Sequence, residues 1–317
     1  MKIFAIIATF NGRQWYDRCF GSLVSSNIKL NIVVVDNNSQ DGSIDYIRQN
    51  FPEITIFPQN KNLGFGAANN IGIKYTLDNG ADYVLLLNQD AYIEENTVEN
   101  LLKIFTSNIG GFPLGGKPVG IVAPVQTDGS RKNLDYNFQK IYLNNDNTKN
   151  FIDDLYFNRL KDFYETKCVN AAAWLINREC IEKVGGFDTS LFYHYGEDWN
   201  YCQRVNYHGF KIVIAPKIAV CHDRAERKGK FTESFKNSWN EISYKLNYGN
   251  ILLSENQIDN EFLRIKRQYK RNIIKLILKL QINKMFELKK KFSTEINLLK
   301  TIKESIKINK KGGKIWL

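Results

Sequence analysis

The chain has 317 residues, a mass of 36.7 kDa, 43% hydrophobic residues and a formal net charge of +11. That size and composition exclude general disorder and allow one large α/β domain with an appendage. The five cysteines are dispersed without a CxxC pair, which predicts reduced, buried thiols and excludes a disulfide framework or zinc site. The N-terminal apolar run is too short for a signal peptide, and no stretch has the ~20 uncharged residues of a membrane-spanning helix. We therefore expect a cytoplasmic protein, free in solution or lying on the inner face of the cell membrane.

Strand and helix signals alternate over the first 130 residues. Short apolar runs predict strands at 3–10, 30–36, 54–57 and 83–87. Helical spacing between them predicts helices at 15–26, 43–49 and 67–79. This order favours an α/β fold in which a mostly parallel sheet is flanked by helices.

Polar residues follow the predicted strands, at the carboxyl ends where such sheets bind ligands. They are Thr9, Asn11, Asp36, Asn37 and Asp90. This coincidence is the first indication of a functional site.

The second half of the chain is less regular. Residues 131–165 lack clear periodicity and predict an insertion or irregular hairpin over one side of the site. Strands are predicted at 168–176, 211–215 and 218–222, and a helix follows residue 196. From residue 262 onward, apolar residues at steps of three and four predict amphipathic helices. We expect a first domain at 1–224, with halves 1–130 and 131–224, and a helical C-terminal extension at 225–317.

Four segments together resemble the family 2 glycosyltransferases of the GT-A fold, especially the bacterial rhamnosyltransferase-like branch. They are VVVDNNSQDGS (33–43), NKNLGFGAANNIGI (60–73), LLLNQD (85–90) and VGGFDTSLFYHYGEDWNYCQRV (184–205). Each segment alone is a weak signal, whereas their order and spacing are specific. The resemblance runs from residue 2 to about 222 and implies transfer of a sugar from a nucleotide diphosphate donor.

The resemblance places the donor at the first two segments. It implies that Asp36 contacts the nucleoside, that Thr9, Asn11 and Asn38 line the same pocket, and that Gly64 and Asn69 lie near the donor. A carboxylate at a strand end can accept hydrogen bonds from a ribose hydroxyl or a base N–H. The alternative is local: an Asx-turn and helix cap at 36–39, and a tight turn at the glycines.

Asn88, Gln89 and Asp90 occupy the position of the family's DxD motif. The resemblance implies donor contacts for all three and a Mg²⁺ or Mn²⁺ ion at Asp90, with His222 as a second metal ligand. Because Asn88 replaces the first acid, the donor phosphates would have to complete the coordination. Arg224 and Arg227 could assist with the diphosphate charge. The alternatives are Asp90 as a helix cap and His222 as a structural residue.

Glu197 and Asp198 resemble the family's ED motif, which implies that Asp198 is the catalytic base. An acceptor hydroxyl is a poor nucleophile, so a carboxylate must take its proton as the new bond forms. The predicted acceptor site also contains Trp174, Tyr193, His194 and Glu197. Two alternatives stay open: acids placed only to favour the start of a helix, and a core role for Trp174.

Basic charge is concentrated in the C-terminal tail. Residues 261–317 contain 17 Lys/Arg and 4 Asp/Glu, whereas residues 1–260 sum to about −2. The apolar stripe of the tail can pack on the catalytic domain, mediate a homodimer or lie on an anionic membrane surface, and the charge favours the membrane. Nucleic acid is not expected as a partner, because no recognised fold accompanies the charge.

The motifs predict an inverting, metal-dependent hexosyltransferase in surface polysaccharide synthesis. Rhamnose from dTDP-rhamnose is the best single candidate, and the expected acceptor is a glycan or a polyprenyl-linked glycan. The alternatives are a nucleotidyltransferase, which would need a glycine-rich basic loop after the first strand, and a degenerate sugar-nucleotide-binding scaffold.

Overall fold

The computed structural model describes residues 1–106, 117–144, 146–224, 233–253 and 255–317. The chain divides into two units: Met1–Phe231 together with Gly312–Leu317, and Thr232–Lys311. The α/β class and the C-terminal helices predicted from the sequence are confirmed.

The first unit is built on one mixed sheet. Its strands are β1 (Ile3–Thr9), β2 (Asn31–Asp36), β3 (Thr55–Pro58), β4 (Tyr83–Leu87), β5 (Ala91–Tyr92), β6 (Val119–Thr127), β7 (Tyr164–Thr166), β8 (Ala173–Asn177) and β9 (Lys211–His222). The strand order is β3-β2-β1-β4-β8-β6-β9-β5, and β7 pairs with β9. Strands β1 to β4 are parallel, whereas β8 is antiparallel to both of its neighbours.

Helices cover both faces of this sheet. They are α1 (Tyr16–Val24), α2 (Ser43–Asn50), α3 (Phe65–Asp78), α4 (Thr97–Thr106), α5 (Tyr136–Tyr142), α6 (Phe151–Tyr156), α7 (Arg178–Val184) and α8 (Glu197–Tyr207). Because side chains of a strand alternate between faces, Ile6 joins one buried cluster with α3, α7 and α8, and Ile7 joins the other with α1, α2 and α4.

Three segments differ from the prediction. Residues 131–165 hold the short helices α5 and α6 and the start of β7 instead of an irregular hairpin. The strand expected at 168–176 begins only at Ala173, and the two strands expected at 211–222 form one continuous strand that contains an irregularity. That irregularity lies opposite Pro124 and Val125 of β6, and it explains why the sequence suggested a break.

The described residues of the second unit form three helices: α9 (Glu233–Tyr248), α10 (Glu255–Leu278) and α11 (Ile282–Lys311). The helices α10 and α11 pack against each other, and their contact includes the rings of Tyr269 and Phe292, whose centroids are 4.1 Å apart. No helix within the described ranges is both long and apolar enough to cross a membrane.

The last six residues return to the first unit, although the sequence assigned them to the extension. Gly312 and Gly313 have φ values of 64° and 83°, which end the long helix α11. The Gly313 N–H then donates to the Lys183 carbonyl at 2.8 Å, and the Gly186 N–H donates to the Ile315 carbonyl at 2.9 Å. Backbone pairing with the turn after α7 therefore explains the difference.

Candidate active site

The first polar cluster lies where β1 and β2 end. The strand register pairs Thr9 with Asp36, and the Thr9 hydroxyl donates to Asp36 Oδ1 at 2.9 Å. Ser39 donates to the same carboxylate through its backbone N–H (2.9 Å to Oδ2) and its hydroxyl (2.6 Å to Oδ1). A carboxylate oxygen can accept more than one hydrogen bond. Asp36 is fully buried and is held in a fixed position by these three hydrogen bonds, whereas its contact with a ribose or a base stays a prediction.

Two asparagines shape the loops above this carboxylate. Asn11 and Asn38 both adopt left-handed backbone conformations, with φ values of 47° and 65°, which short polar side chains tolerate best. The Asn11 N–H donates to Ser39 Oγ at 2.9 Å, and Asn11 Oδ1 accepts from the Gln40 N–H at 2.8 Å. Asn11 thus ties the loop after β1 to the loop after β2, whereas its contact with a donor stays a prediction.

Gln89 fastens the loop after β4 to the loop after β1. Its Oε1 accepts from the Phe10 N–H at 2.9 Å, and its Nε2 donates to the Phe10 carbonyl at 3.1 Å. A Cβ at Gly12 would lie only 2.2 Å from Gln89 Oε1. Glycine is therefore required at position 12 for this pair of hydrogen bonds to form.

Gly64 immediately precedes α3, where the predicted donor and acceptor segments meet. Its φ is 83°, and an added Cβ would lie 2.0 Å from the Tyr193 carbonyl oxygen. Tyr193 is exposed, and its hydroxyl donates to the Asn62 carbonyl at 2.9 Å. Asn69 is buried and donates to the Phe65 carbonyl of its own helix at 2.9 Å. The positive φ and the close Tyr193 carbonyl explain why residue 64 is a glycine. The donor contacts of Gly64 and Asn69 stay predictions.

The two predicted metal ligands come together. Asp90 follows β4, His222 ends β9, and both are buried, with Asp90 Oδ1 at 3.4 Å from His222 Nε2. Asn88 Nδ2 lies 3.3 Å from the same imidazole nitrogen. The pairing of β5 with β9, in which Ala91 lies opposite His222, sets this contact.

An amide pair behind His222, formed by the buried Gln126 and the partly exposed Asn170, was missed by the sequence. Gln126 and Asn170 exchange two hydrogen bonds, of 2.7 and 3.0 Å, and Gln126 Oε1 lies 3.2 Å from His222 Nδ1. Arg224 Nε approaches the same imidazole nitrogen at 3.3 Å. These groups orient the ring so that Nε2 faces Asp90. The residue types alone carry no signal for this role, because the pair joins β6 to the segment before β8.

The donor set fits a divalent ion that is shared with a substrate. A carboxylate oxygen and an imidazole nitrogen facing each other are acceptable ligands for Mn²⁺, and the carboxylate also suits Mg²⁺. No cluster of three or more His, Cys, Asp or Glu able to hold a metal occurs in the described part of the chain. Diphosphate oxygens would therefore have to supply the other ligands.

Glu197 and Asp198 form the first turn of α8, directly after Gly196, whose φ is 90°. Burial raises the pKa of Asp198 to about 6, opposed by the backbone N–H groups of Trp199 and Ala171 and by the charge of Arg224. Burial also raises the pKa of Glu197 to about 8, with the Asp198 charge adding to the effect. Asp198 is therefore the more readily ionised of the two carboxyls, as a general base requires.

The acceptor residues predicted from the sequence fall into two groups. Tyr193 and His194 are exposed on the loop before α8 and are accessible to a ligand. Trp174 is fully buried, with its ring stacked at 6.2 Å on Phe187 and 5.7 Å from Tyr201. Trp174 therefore belongs to the core, and its assignment to the acceptor site was wrong because β8 directs this side chain into the layer beneath α8.

A different aromatic pair accompanies Asp198. Trp199 is partly exposed and donates from Nε1 to the Tyr142 hydroxyl at 3.2 Å. Burial raises the pKa of Tyr142, and the Asp198 charge raises it further. Tyr142 ends α5, in the segment for which the sequence predicts only an irregular hairpin. Arg227, also considered from the sequence, lies outside the described residues.

The turn that precedes the acceptor loop is held by buried polar groups. Asn70 accepts from the Phe187 N–H at 2.7 Å and donates to the Phe187 carbonyl at 2.9 Å. Arg204 is fully buried and donates to the carbonyls of Gly186, at 2.6 Å, and Val184. Asn70 thus links α3 to the turn after α7.

The model of glycosyl transferase family 2 matches residues 4–185 of this sequence. The chain belongs to this family. As a family 2 glycosyltransferase it is 23% identical over 231 residues to dTDP-rhamnosyl transferase RfbF of Shigella flexneri, covering 72% of this chain and 71% of that protein. It is 24% identical over 241 residues to the N-acetylglucosaminyl-diphospho-decaprenol L-rhamnosyltransferase of Mycobacterium tuberculosis, covering 71% and 77%.

Solved structures show the same fold. The S. aureus protein TarS (residues 1–349, with UDP) aligns with a TM-score of 0.53 at 14% identity, covering 80% of this chain and 67% of that one. The mannosyltransferase PcManGT of Pyrobaculum calidifontis, in complex with GDP-Man and Mn²⁺, aligns with a TM-score of 0.54 at 16% identity, covering 98% and 86%. The predicted membership in the glycosyltransferase family is thus confirmed, together with the fold.

Proposed function

We propose that this glycosyltransferase moves rhamnose from dTDP-rhamnose to a hydroxyl of a glycan or lipid-linked glycan, in the synthesis of a bacterial surface polysaccharide. Two relatives that act on rhamnose, each matched over more than two thirds of this chain, support the sugar. The decaprenol-linked substrate in the name of one of them supports a lipid-linked acceptor.

One observation supports transfer most strongly: the candidate base and the Asp90–His222 pair share neighbours. Arg224 Nε lies 3.3 Å from His222 Nδ1, and its charge also stabilises ionised Asp198. The segment 170–172 contacts the surroundings of His222, the candidate base and the loop after β4. Asn170 is hydrogen-bonded to Gln126 beside His222, and the Ala171 N–H lowers the pKa of Asp198. The Ala172 carbonyl accepts from the Asn88 N–H at 2.9 Å. A donor diphosphate and an acceptor hydroxyl would therefore meet at one site.

The mechanism follows from the charges of these groups. Ionised Asp198 accepts the proton of the acceptor hydroxyl while the oxygen attacks the anomeric carbon, and the nucleotide diphosphate leaves from the opposite face. This direct displacement inverts the anomeric centre. Asp36 and its neighbours bind the nucleoside, which fixes the anomeric carbon relative to Asp198.

Asp90 and His222 would hold a Mg²⁺ or Mn²⁺ ion, which when bound neutralises charge on the leaving diphosphate. Arg224 lies beside the pair, and its guanidinium also forms an ion pair with the buried Asp135 at 2.9 Å. Protonated Glu197, with its raised pKa, can donate a hydrogen bond to a sugar hydroxyl of the acceptor without adding a second negative charge next to Asp198.

We further propose that the enzyme acts on the cytoplasmic side of the membrane and contacts it through residues 261–317, which carry a net charge of +13. A lipid-linked acceptor would be presented at that surface. A homodimer formed through the same helices is the competing use of this segment.

The first experiment is nucleotide-dependent thermal stabilisation, with UDP, dTDP, GDP and their sugars, each with and without Mn²⁺ or Mg²⁺. A bound ligand at one hundred times its Kd stabilises the native state by about 2.7 kcal/mol. We expect the largest shift with dTDP-rhamnose and metal, lost in Asp36→Ala and retained in the exposed-site control Asp45→Asn. A shift with UDP or GDP alone would overturn the choice of donor.

Transfer is then measured with dTDP-rhamnose and a prenyl-diphosphate-linked N-acetylglucosamine acceptor, using NMR to read the anomeric configuration of the product. We expect the anomeric configuration of the transferred sugar in the product to be opposite to its configuration in the donor. Tight nucleotide binding without turnover of any donor would contradict the enzyme proposal and favour a binding scaffold.

A further inference from the structure

Large apolar side chains are exposed at the turn between α10 and α11. Within residues 274–286, here called the hairpin tip, six of them have between 52% and 85% of their surface exposed: Ile274, Ile277, Leu278, Leu280, Ile282 and Phe286. Single exposed apolar residues are ordinary, but six of them within one helical hairpin turn point to an interaction surface.

These are not the residues that hold the unit together. The apolar stripe predicted along the tail includes Ile265, Leu299, Ile302 and Ile306, all of which are buried. Tyr269 and Phe292 of the stripe stack on each other between α10 and α11. Much of the stripe is therefore used in packing, whereas Leu280 of the same predicted stripe is exposed in the hairpin tip. The membrane contact expected from the amphipathic pattern thus falls to the exposed residues of the tip.

The charge around the hairpin tip has one sign. Residues 262–286 contain eight Lys/Arg and no Asp or Glu. Three of the lysines, Lys275, Lys279 and Lys284, are exposed within the tip itself. A second copy of the chain would bring eight further positive charges against these, whereas anionic lipid headgroups complement them.

We infer that the hairpin tip inserts into the interface of an anionic lipid membrane. Leu278, Leu280 and Phe286 enter the boundary of the acyl chains, and the lysines of the tip meet the headgroup phosphates. Burial of apolar side chains and attraction to anionic lipid add to each other in such interfacial segments. This inference rests on the proposed function, because membrane insertion of the tip would bring the enzyme to its lipid-linked acceptor.

The test is co-sedimentation of the full chain with vesicles of pure phosphatidylcholine and of phosphatidylcholine with 30% phosphatidylglycerol (about one anionic lipid in three). The tip variant combines Leu278→Ser, Leu280→Ser and Phe286→Ser. Its matched control is Leu263→Ser, which removes an exposed leucine from α10 outside the tip. We expect the tip variant to bind anionic vesicles at least about tenfold more weakly and the control to bind as the wild type does.

The charge contribution is tested by Lys275→Gln, Lys279→Gln and Lys284→Gln together, against Lys300→Gln, Lys307→Gln and Lys311→Gln. The first set should lower binding to anionic vesicles more than the second, although both remove three charges. Equal losses would show that net charge alone attracts the chain, and they would overturn insertion of the tip.

Insertion is read directly with Leu280→Cys carrying the environment-sensitive dye NBD, compared with Leu263→Cys. A blue shift with anionic vesicles only at position 280 is expected. Wild-type vesicle binding by the tip variant overturns the inference. So does a dimer, seen by sedimentation velocity without lipid, that the tip variant dissociates. Because nucleotide binding is measured separately on the same variants, a failed lipid contact is distinguishable from a failed enzyme proposal.

Discussion

Two neighbouring carboxyls of α8 lie in different surroundings, although they share the same helix turn. Asp198 is only partly buried, and backbone N–H groups and the charge of Arg224 lower its pKa by stabilising the ionised form. Glu197 is buried, and its Oε2 has no hydrogen-bond partner among the described residues. The environment, and not the residue type, therefore separates a carboxyl that ionises near neutral pH from one that stays protonated.

The substitution Asp198→Asn should lower the transfer rate by about 100-fold to 10,000-fold, because it removes the general base. Donor binding, measured by thermal stabilisation, should stay unchanged. In the wild type the rate should rise as pH increases through about 6, since only the ionised form accepts a proton. Single-turnover rates should be measured from about pH 5 to about pH 7, roughly one unit on either side of this pKa. A rate that does not change over this range would contradict the role of Asp198 as the base.

The substitution Glu197→Gln should change how stability depends on pH. Since the pKa of Glu197 in the folded chain, about 8, is above its ordinary 4.5, the folded state holds this proton more tightly. The wild type should therefore lose stability as pH rises from 4.5 towards 8, by up to about 1.4 kcal/mol per pH unit. The variant should lose less over the same range. Urea unfolding across this range checks the slope, with the exposed Glu95→Gln as the matched control.

At the level of elements, the predicted donor side of the site consists of loops that follow neighbouring strands. Three of them are bonded to one another: those after β1 and β2 through Asn11, and those after β1 and β4 through Gln89. A change in one loop should therefore alter the position of the others.

The substitution Gly12→Ala should displace Gln89 and release the loop after β4, which lowers nucleotide affinity by about tenfold. Gly21→Ala, in α1 with nothing within 4 Å of the added Cβ, is the control and should bind normally. If the clash with Gln89 is the cause, the double variant Gly12→Ala/Gln89→Ala should bind no more weakly than Gln89→Ala alone. Additive losses, measured by calorimetry, would show another cause.

Regular elements and motif residues were predictable from the sequence, because apolar periodicity and strand-end polarity are local signals. The strand at 83–87 was predicted with its observed bounds, and Asp36, Asp90, His222 and Asp198 occupy strand ends or the first turn of a helix, as expected. What the sequence could not provide are partners brought together by topology. Gln126 reaches His222 only because β6 pairs with β9, 96 positions apart. The placement of Trp174 failed for the same reason, since an aromatic residue gives no local indication of which sheet face it joins.

At the scale of the whole molecule, three distant parts of the chain contact the turn at residues 183–187, which precedes the predicted acceptor loop. Asn70, Arg204 and the peptide 312–317 all bind the backbone between residues 183 and 187. The polar residues there are buried, so a lost partner would leave unsatisfied groups that cost about 1–3 kcal/mol each.

The substitution Gly185→Ala tests the part played by the peptide 312–317. Its Cβ would lie 2.5 Å from the Ile315 carbonyl oxygen, whereas Gly209→Ala, at a similar φ, meets nothing within 4 Å. Both variants carry the backbone cost of a positive φ, about 1–2 kcal/mol. We expect Gly185→Ala to lower Tm further than Gly209→Ala, and to add little in a chain that lacks 312–317. Equal Tm losses in the two variants would mean that the peptide contributes nothing.

The return of residues 312–317 to the first unit also bears on the order in which the protein can be made. During synthesis, the turn at Gly185 and Gly186 emerges more than a hundred residues before Ile315, and all of α9, α10 and α11 must follow first. The loops predicted to bind the nucleotide can fold while the ribosome is still translating, whereas the turn before the predicted acceptor loop must wait for residues 312–317. A nascent chain stalled before residue 312 should therefore bind nucleotide before it can complete the acceptor side.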